Sequence, residues 1–391
     1  MTQTEPFLPY GRQTITEEDI AAVSEVLRSP FLTQGPAVPL FERSIAQKVG
    51  CNHAVAVNSA TSALHIACLA LDLGPGDWLW TSPVTFVASA NCARYCGADV
   101  DFVDIDPTTG LMSVSALEQK LLHAEQHGVL PKVVIPVHLC GTSCAMRDIA
   151  ELAERFGFAV IEDASHAVGA RYQDDFVGSC TYSKISVFSF HPVKIITSGE
   201  GGMATTNDPY LARRMVDLRS HGITKDENRF EFSSPGPWSY EQQDLGFNYR
   251  MTDLQAALGL SQLKRLDLIV AERQRLHDVY QKSLVDLPLH LLSIPSDTSS
   301  SLHLAVIRLL NPEAKHHRSV FEGLRSLGIG VQLHYSPVHL QPYYQRLGFQ
   351  KGDFPEAEAY ASSAISLPLF PGLQESEQER VVRALAQVLT A

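Results

Sequence analysis

The chain has 391 residues, a hydrophobic content of 45%, a charged content of 19% and a formal net charge of −12. This length predicts about two domains, and the composition is typical of a globular protein rather than a disordered or fibrous one. The negative charge, without any basic tract, argues against a nucleic-acid-binding surface. The first residues show no basic start followed by an apolar segment, and no apolar run reaches the length of a membrane span. We therefore expect a cytoplasmic protein.

Seven cysteines occur, an odd number in a long chain without an export signal, so a disulfide framework is not expected. Cys92 and Cys96, and likewise Cys140 and Cys144, are four residues apart, and His138 lies close to the second pair. A zinc site is therefore an alternative. The sequence has no CxxC pair, and Cys92 falls in an apolar helical stretch. The pattern favours buried free thiols and no metal site.

Two amphipathic helices are predicted before residue 50. Thr16-Glu-Glu-Asp19 is a typical helix start, and the apolar residues that follow share one helix face, namely Ile20, Val23, Val26 and Leu27. A loop with two prolines and a glycine covers residues 30–36. The second helix is indicated by the spacing of Val38, Phe41, Ile45 and Val49.

From residue 53 onward, short apolar strands alternate with helical segments. Strands are predicted at 53–57, 78–81, 100–103, 133–137 and 159–161, with helices near 64–71, 86–95, 113–124 and 145–156. This alternation predicts an α/β fold with a mostly parallel central sheet and helices on both of its faces. Functional sites in such folds lie at the carboxyl ends of the strands.

The second half of the chain changes character. Residues 222–248 lack periodicity, and a loop of this length is usually functional or reaches a partner. One or two long helices are predicted over 252–285, and a smaller α+β unit follows, with strands at 302–310 and 331–334 and helices at 313–327 and 375–389. We predict a large domain over residues 1–265 and a small C-terminal domain over residues 266–391.

The stretch from Ser183 to Gly202 carries the clearest catalytic signal. It begins with an apolar run, 185–190, that is typical of a buried strand, after which Pro192 ends the strand and Lys194 follows. A lysine among apolar walls just beyond a strand is partly neutral and therefore nucleophilic. A solvated lysine in a surface loop is the alternative, and the neighbouring motifs decide between the two.

Four further features lie at predicted strand ends. Ser59-Ala-Thr-Ser62 joins a strand to a helix and forms either an anion site or a plain helix N-cap, and we expect Ser189 to reach the same anion. Asp163 ends a strand, where it would serve a metal, a base, a cationic ring nitrogen or a helix cap. Phe86 would cover a flat ring or belong to the core. Together with the lysine, they describe a pyridoxal-phosphate site.

A family resemblance runs from about residue 8 to the C-terminus. The chain resembles the sugar-nucleotide aminotransferases of the DegT/DnrJ/EryC1/StrS family in the runs NSATSAL, TSPVTFVASAN, VIEDASHAVGA, SFHPVKIITSGEGG, RSHG, GFNYRMTDLQAALGLSQL and HYSPVHLQPYY. The resemblance implies fold type I of the pyridoxal-phosphate enzymes, which is the aspartate-aminotransferase-like fold, and pyridoxal 5′-phosphate as the cofactor. The runs YGRQ, LTQGP, EDASHA and SFHPVK are most similar to the pseudaminic acid branch of the family.

The resemblance also implies roles for single residues. Lys194 would form the Schiff base with the cofactor and move the proton between sugar C4 and the cofactor. Asp163 would pair with the pyridinium nitrogen. Phe86 would stack on the ring, and His166 would contact its edge, where many relatives have Gln. The phosphate would be bound by Ala60, Thr61, Ser62 and Ser189, joined by Asn248 from the neighbouring subunit of a homodimer.

The same resemblance implies a substrate site. The residues that would border the sugar nucleotide are Tyr10, Phe31, Leu32, Thr33, His334 and Tyr335. A basic group is also needed for the diphosphate or for the carboxylate of the amino donor. The candidates are Arg219, His221 and Arg250, and each has a structural role as its alternative.

The implied reaction moves an amino group from L-glutamate to C4 of a UDP-linked 4-keto-6-deoxy-N-acetylhexosamine. Acceptors of the UDP-4-amino-arabinose or GDP-perosamine type would use the same cofactor residues. The fold would also suit a sugar dehydratase, in which a histidine replaces the lysine, or a non-catalytic regulatory protein that binds the cofactor. The presence of Lys194 argues against the dehydratase, and the full set of cofactor ligands argues against the regulatory protein.

Overall fold

The structure is a computed structural model that describes residues 6–310 and 314–390. That part of the chain forms thirteen α-helices, which are α1 Glu17–Arg28, α2 Ala37–Val49, α3 Ala60–Ala70, α4 Ala88–Tyr95, α5 Val114–His127, α6 Met146–Phe156, α7 Pro209–Arg219, α8 Asp253–Leu263, α9 Leu266–Ser283, α10 Ala314–Ser326, α11 Pro342–Gln345, α12 Pro355–Ala361 and α13 Glu375–Leu389. The same residues form fifteen strands, which are β1 His53–Val57, β2 Trp78–Thr81, β3 Asp99–Phe102, β4 Val133–Ile135, β5 Ala159–Asp163, β6 Arg171–Tyr172, β7 Asp175–Phe176, β8 Ile185–Ser189, β9 Gly202–Thr206, β10 Ile223–Thr224, β11 Glu241–Gln242, β12 Leu289–Leu291, β13 Thr298–Ser299, β14 Ala305–Leu309 and β15 Ala364–Leu367.

The central sheet of the described chain contains seven strands in the order β1-β9-β8-β5-β4-β2-β3. The strands from β8 to β3 are parallel to one another, whereas β9 is antiparallel to both of its neighbours. The predicted mostly parallel sheet is therefore confirmed. Gly202 of β9 pairs with Val57 on one side and with Ser189 on the other. The carboxyl ends of β1 and β8 consequently lie at the same edge of the sheet.

Both faces of this sheet are covered, as the alternation of side chains along its strands shows. Val187 and Ala204 belong to the apolar cluster that contains α3, whereas Phe188 and Met203 belong to a second cluster that contains Phe41 of α2. All strand residues of β8 and β9 are buried. Strands that are buried on both faces read as continuous apolar runs, which is why β8 could be predicted from its sequence.

A second, antiparallel sheet of order β12-β14-β15 lies in the C-terminal part of the chain. Its strands pack with α9, α10 and α13 around a separate apolar cluster that includes Leu276, Ile307 and Leu324. Leu8 joins this cluster, and its N–H donates to the carbonyl oxygen of Gly328 at 2.9 Å. The N-terminal segment therefore packs against the C-terminal unit, while the domain boundary near residue 265 stays a prediction.

One expectation for local structure requires correction, and helix α1 packs differently from what its apolar pattern suggests. Residues 331–334 do not form a strand: Gln332 makes a single bridge to Ser366, and the third strand of the small sheet is β15 instead. Helix α1 begins at the predicted position, but its apolar stripe is not buried, because Ile20 is 50% and Leu27 is 59% exposed. The buried side chain of α1 is Asp19, which accepts hydrogen bonds from Gln262 of α8 and from Arg265 just beyond that helix.

The cysteines are free thiols, as predicted, and five of the seven are buried. His138 does lie beside Cys144, whose backbone N–H donates to its Nδ1 at 3.2 Å. Across residues 6–310 and 314–390, no cluster of three or more His, Cys, Asp or Glu side chains has a geometry that could hold a metal ion. None of the described helices is long and apolar enough to span a membrane.

Candidate active site

A cavity of about 810 Å³ opens at the carboxyl edge of the central sheet. It is bounded by the ends of β5 and β8, by the first turn of α3, and by the segment around residue 334 of the C-terminal unit. Many of the predicted site residues line it, namely Tyr10, Ala60, Thr61, Ser62, Phe86, Asp163, His166, Ser189, Lys194, His334 and Tyr335. The fold therefore brings together residues that are more than 300 positions apart in sequence.

Lys194 lies in a tight turn five residues beyond the end of β8. Its backbone N–H donates to the carbonyl oxygen of His191 at 3.0 Å, which turns the chain back toward the sheet edge. The Nζ atom has no hydrogen-bond partner within the described residues. Burial lowers the pKa of the Lys194 amine to about 8, although the negative charge of Asp163 acts in the opposite direction. A larger fraction of this amine than of an ordinary lysine is therefore neutral, and nucleophilic, near neutral pH.

The carboxylate of Asp163 is held at the end of β5 by two donors. Its Oδ2 accepts a hydrogen bond of 2.6 Å from the hydroxyl of Ser89, and its Oδ1 accepts one of 3.1 Å from the backbone N–H of Ser165. The hydroxyl of Thr85 lies 2.7 Å from that of Ser89 and extends the network. A buried, oriented carboxylate at the cavity wall is suited to bind a cationic ring nitrogen.

The first turn of α3 forms a cradle for an anion. Ser59 is the N-cap of α3, and its Oγ accepts the N–H of Ser62 at 3.1 Å. The N–H groups of Ala60 and Thr61 have no intrahelical partner, because they belong to the first turn. A Cβ atom on Gly202 would lie 2.5 Å from the backbone of Ser59 and Ala60, so glycine is required for β9 to pack this closely behind the turn. The cradle fits a phosphate group.

His166 has a defined set of neighbours deep in the cavity. The backbone N–H of Cys140 donates to its Nδ1 at 3.3 Å, and its Nε2 lies 3.1 Å from the hydroxyl oxygen of Tyr335. The ring of His303 is 4.4 Å from that of His166. Burial, followed by the positive charge at Lys194, lowers the pKa of His166 well below its ordinary value, so the ring is neutral.

Aromatic side chains form the outer wall of the cavity. The Phe86 ring is 59% exposed and has its centroid 6.3 Å from that of Tyr335. The rings of Tyr10 and His334 are 5.2 Å apart, which links the N-terminal segment to the C-terminal unit. The Nδ1 of His334 is 2.8 Å from the Ser366 hydroxyl. The exposed Phe86 ring lines the cavity and is therefore accessible to a flat ligand.

Four predicted site residues lie outside this cavity and are exposed, namely Phe31, Leu32, Thr33 and Asn248. The loop that carries the first three is fixed by Asp253, whose carboxylate accepts the N–H groups of Gly35, Ala37 and Val38. Asn248 is flanked by Phe247 and Tyr249, whose rings stack at 4.8 Å. These four residues are thus held on the surface of a single chain, away from its own cavity.

The three basic candidates also lie outside the cavity lining. The guanidinium of Arg219 forms an ion pair with Glu42 and donates to the carbonyl oxygen of Ala56 at 2.6 Å. Both charged side chains of the pair are largely buried. Arg219 therefore fastens α7 to α2 and β1 in this structure. Arg250 forms a backbone bridge with Val57, and His221 is exposed.

Several lining residues had no role predicted from the sequence. Thr85 lines the cavity, whereas Ser89 is fully buried and reaches the site only through its hydrogen bond to Asp163. Both occur in the run TSPVTFVASAN, and their spacing of four residues was the available signal. His303, Glu200 and Gln255 also line the cavity. They belong to the small unit, to the loop beyond Lys194 and to α8, and nothing in their local sequence indicated that these elements would meet.

Comparison with known proteins gives relatives that match over almost the whole chain. The spore coat polysaccharide biosynthesis protein SpsC of Bacillus subtilis is 39% identical over 388 residues, which are 98% of this chain and 97% of SpsC. The uncharacterized protein MJ1066 of Methanocaldococcus jannaschii is 35% identical and covers 99% of this chain and 98% of its own length.

Solved structures give the same result. Helicobacter pylori PseC, an aminotransferase involved in the biosynthesis of pseudoaminic acid, has a TM-score of 0.90 and 31% identity over 98% of this chain and 99% of its own. The PLP-form of Spr1654 from Streptococcus pneumoniae, a provisionally assigned sugar aminotransferase, has a TM-score of 0.89 and 28% identity over 98% and 99% of the two chains. The family described as the DegT/DnrJ/EryC1/StrS aminotransferases matches residues 13–386. The chain therefore belongs to the DegT/DnrJ/EryC1/StrS aminotransferase family.

Proposed function

We propose that this aminotransferase moves the amino group of L-glutamate to C4 of a UDP-linked 4-keto-6-deoxy-N-acetylhexosamine, with pyridoxal 5′-phosphate as cofactor. The observation that carries the proposal is that the buried amine of Lys194, the carboxylate of Asp163 and the anion cradle of α3 open into one cavity. The support for this acceptor is the likeness to PseC in structure and in motifs. The expected location is the cytoplasm, where glutamate and nucleotide sugars are available.

The residues of the cavity fit each chemical group of the cofactor. When bound, pyridoxal phosphate supplies an aldehyde that combines with amines and a ring that accepts electrons from the neighbouring carbon. The N–H groups at the start of α3 and the hydroxyls of Thr61 and Ser189 would bind the phosphate. Asp163 would bind the protonated ring nitrogen and keep it charged. Phe86 would cover one ring face.

Lys194 would hold the cofactor and then act on the substrate. Once the amino donor occupies the site, the free amine of Lys194 would take the proton from the donor carbon. The low pKa of this buried amine favours the neutral form that accepts a proton. In the second half of the reaction the same amine returns a proton to C4 of the sugar. One residue therefore serves both directions of proton transfer.

We further propose a homodimer in which each cavity is completed by the partner subunit. The supporting observation is that Phe31, Leu32 and Asn248 are exposed and lie away from the cavity of their own chain. The loop over residues 222–248 also exposes three large aromatic side chains, with Phe232 and Trp238 each 76% and Tyr240 59% accessible. Exposed apolar groups of this size are typical of an interface. In the dimer, Asn248 would reach the phosphate in the neighbouring cavity.

A second acceptor class is favoured by one finding, which is the 39% identity to SpsC, a protein of spore coat polysaccharide synthesis. The acceptor would then be another nucleotide-linked 4-keto sugar, because the cofactor residues do not depend on the sugar. Selectivity among such sugars depends on the shape and the hydrogen bonds of the sugar pocket.

The test is an acceptor panel. The purified enzyme, loaded with cofactor, is incubated with L-glutamate and with UDP-linked 4-keto-6-deoxy-N-acetylhexosamines, the UDP-4-keto pentose or GDP-4-keto-6-deoxymannose, and the products are identified by mass spectrometry and NMR. We expect the highest kcat/KM for a UDP-linked N-acetylhexosamine. Preferential amination of the GDP sugar or of the pentose would reject the proposed acceptor. Lys194→Ala should abolish turnover with every acceptor.

A further inference from the structure

The hydrogen bonds of His166 determine which of its nitrogens carries the proton. The backbone N–H of Cys140 donates to Nδ1 at 3.3 Å, so Nδ1 is an acceptor and carries no hydrogen. A neutral imidazole then has its hydrogen on Nε2. That nitrogen lies 3.1 Å from the hydroxyl oxygen of Tyr335. His166 is therefore the donor in this pair, and Tyr335 is the acceptor.

The surroundings of His166 keep it in this form. Protonation would place a second hydrogen on Nδ1, directly against the N–H of Cys140. Burial disfavours the cationic form of the ring most strongly, and the positive charge of Lys194 disfavours it further. The neighbouring His303 is also buried and neutral, because burial lowers its pKa well below the ordinary value. The direction of the His166–Tyr335 hydrogen bond is consequently fixed over the working pH range.

The hydroxyl hydrogen of Tyr335 must then point elsewhere. Its oxygen already accepts from His166, and within residues 6–310 and 314–390 the hydroxyl forms no second hydrogen bond. The side chain lines the cavity. Burial raises the pKa of the Tyr335 phenol, which favours the form that keeps the hydroxyl hydrogen. Tyr335 thus presents a donor to whatever oxygen atom occupies this part of the cavity.

Building on the proposed function, we propose that Tyr335 donates its hydroxyl hydrogen to the C4 carbonyl oxygen of the bound keto sugar, and that His166 is the positioning residue that aims it. Negative charge grows on this oxygen as nitrogen adds to C4, and a preorganised donor stabilises that charge more than it stabilises the ground state. The 3-hydroxyl oxygen of the cofactor is the other possible acceptor of this hydrogen, and the two acceptors can be told apart by experiment.

The two half-reactions distinguish the carbonyl oxygen of the sugar from the oxygen of the cofactor as the acceptor of this hydrogen bond. In stopped-flow experiments the glutamate half-reaction and the keto-sugar half-reaction are followed one at a time. Tyr335→Phe should slow the sugar half-reaction by roughly 10- to 100-fold, as expected for the loss of one hydrogen bond to a developing charge, and leave the glutamate half-reaction unchanged. Tyr182→Phe is the matched control, because it removes a phenol that hydrogen-bonds Gln173 outside the cavity. Equal slowing of both half-reactions would overturn the assignment to the sugar.

The positioning role of His166 is tested by substitution and rescue. A glutamine can accept from Cys140 through its oxygen and donate to Tyr335 through its nitrogen, so His166→Gln should keep most of the sugar half-reaction rate. His166→Leu removes both contacts and should lower the rate as much as Tyr335→Phe does. The double variant His166→Leu/Tyr335→Phe should be no slower than either single variant, since both remove the same contact. Additive losses would show that His166 acts independently of Tyr335.

Two readouts do not depend on turnover. Nitrogen-15 NMR of the histidines, assigned with His166→Gln, should show His166 as the Nε2–H tautomer in the cofactor-free protein, and an Nδ1–H signal would overturn the argument. The visible absorbance band of the cofactor-loaded enzyme should be the same in Tyr335→Phe as in the wild type, whereas a shifted band would assign the hydrogen bond to the cofactor oxygen. If no keto sugar is aminated at all, the proposed function fails, while the tautomer still reports on the His166–Tyr335 pair.

Discussion

Ser89 donates a 2.6 Å hydrogen bond to Asp163 across 74 positions of sequence, from inside α4 to the end of β5. The same helix follows Phe86 at its N-terminal side, so one element both orients the carboxylate and places the aromatic wall. The hydroxyl of Thr85, the residue before Phe86, lies 2.7 Å from that of Ser89 and extends this contact. The Asp163 carboxylate, which would bind the ring nitrogen, and the Phe86 ring, which would cover one ring face, are therefore both positioned by α4.

The first prediction concerns Ser89→Ala. Removing the hydroxyl deletes one of the two donors to the buried Asp163 carboxylate, and hydrogen bonds to charged groups contribute about 1.5–3 kcal/mol. We expect the affinity for pyridoxal phosphate to fall by roughly tenfold or more, because one such bond corresponds to about that factor. Equilibrium titration of the cofactor-free enzyme measures it. Ser186→Ala is the control, because the buried Ser186 hydroxyl has no hydrogen-bond partner among the described residues. Equal affinity for the cofactor in the wild type and in Ser89→Ala would contradict the prediction.

The second prediction concerns the pH dependence of cofactor attachment. Because burial lowers the pKa of the Lys194 amine to about 8, the neutral form increases as the pH rises through that value. The rate at which the visible band forms after mixing with pyridoxal phosphate should therefore rise with pH and level off above about 8, rather than above the ordinary lysine value near 10.4.

A variant of Asp163 tests the sign of the same effect. The Asp163 carboxylate raises the pKa of Lys194, so Asp163→Asn should move the midpoint of the profile to lower pH. Lys194→Ala should give no band at any pH. A midpoint that stays in place, or that moves to higher pH, would show that the two groups are not electrostatically coupled.

The sequence was sufficient for those elements whose function follows from their local chemistry. Lys194 follows an apolar run that is typical of a strand, and Asp163 ends another. The helix start at Ser59 is defined by small polar residues, so all three residues could be placed at strand ends. The sheet then brings them together, because Gly202 of β9 lies between β1 and β8. Parallel topology thus converts three separate local signals into one site.

The remaining features depend on tertiary contacts that no local pattern encodes. The apolar stripe of α1 was a correct helix signal, yet Asp19 is the side chain that faces inward, because α8 supplies its partners. The run at 331–334 has strand-forming residues, but the position beside β14 is taken by β15. His303 reaches the cavity from the segment that precedes β14. No sequence pattern links that segment to the cavity residues of the central sheet.

The third prediction concerns acid stability. His166, His303 and His334 are buried, and burial lowers the pKa of each, that of His334 to about 4. The unfolded chain binds protons on these histidines below about pH 6.5, whereas the native state does not. The free energy of unfolding should therefore decrease as the pH falls, by up to about 1.4 kcal/mol per pH unit for each of these histidines. The decrease should start below about pH 6.5 and, for His334, end near its native pKa of about 4.

Urea denaturation of the cofactor-free protein between pH 5.5 and 7.5 measures this loss. Replacing His166 by glutamine removes one of the groups that must stay uncharged, so the variant should show a shallower decline toward low pH than the wild type. His123→Gln replaces an exposed histidine and should leave the decline unchanged. A wild-type protein that gains stability on acidification would reverse the sign and contradict the prediction.

The fourth prediction tests whether the two subunits share their active sites. If Asn248 acts in the cavity of the partner, each active site takes Lys194 from one subunit and Asn248 from the other. Lys194→Ala and Asn248→Ala then remove residues that different subunits contribute to one site. Mixed dimers then contain one site with both residues intact. Random reassembly of equal amounts gives half mixed dimers, so the mixture of two inactive variants should recover about a quarter of the wild-type activity. Co-expression with two affinity tags isolates the mixed dimer directly.

The matched control for this complementation combines Lys194→Ala with Asp163→Asn. Both residues line the cavity of one chain, so every site of that mixed dimer lacks one of them and no activity should return. Recovery with Asn248→Ala but not with Asp163→Asn would place Asn248 across the interface. If neither mixture recovers activity while both form dimers, Asn248 does not serve the partner, and the exposed 222–248 loop must have another role. If both recover it, the variants themselves are not inactive, which assays of each homodimer establish beforehand.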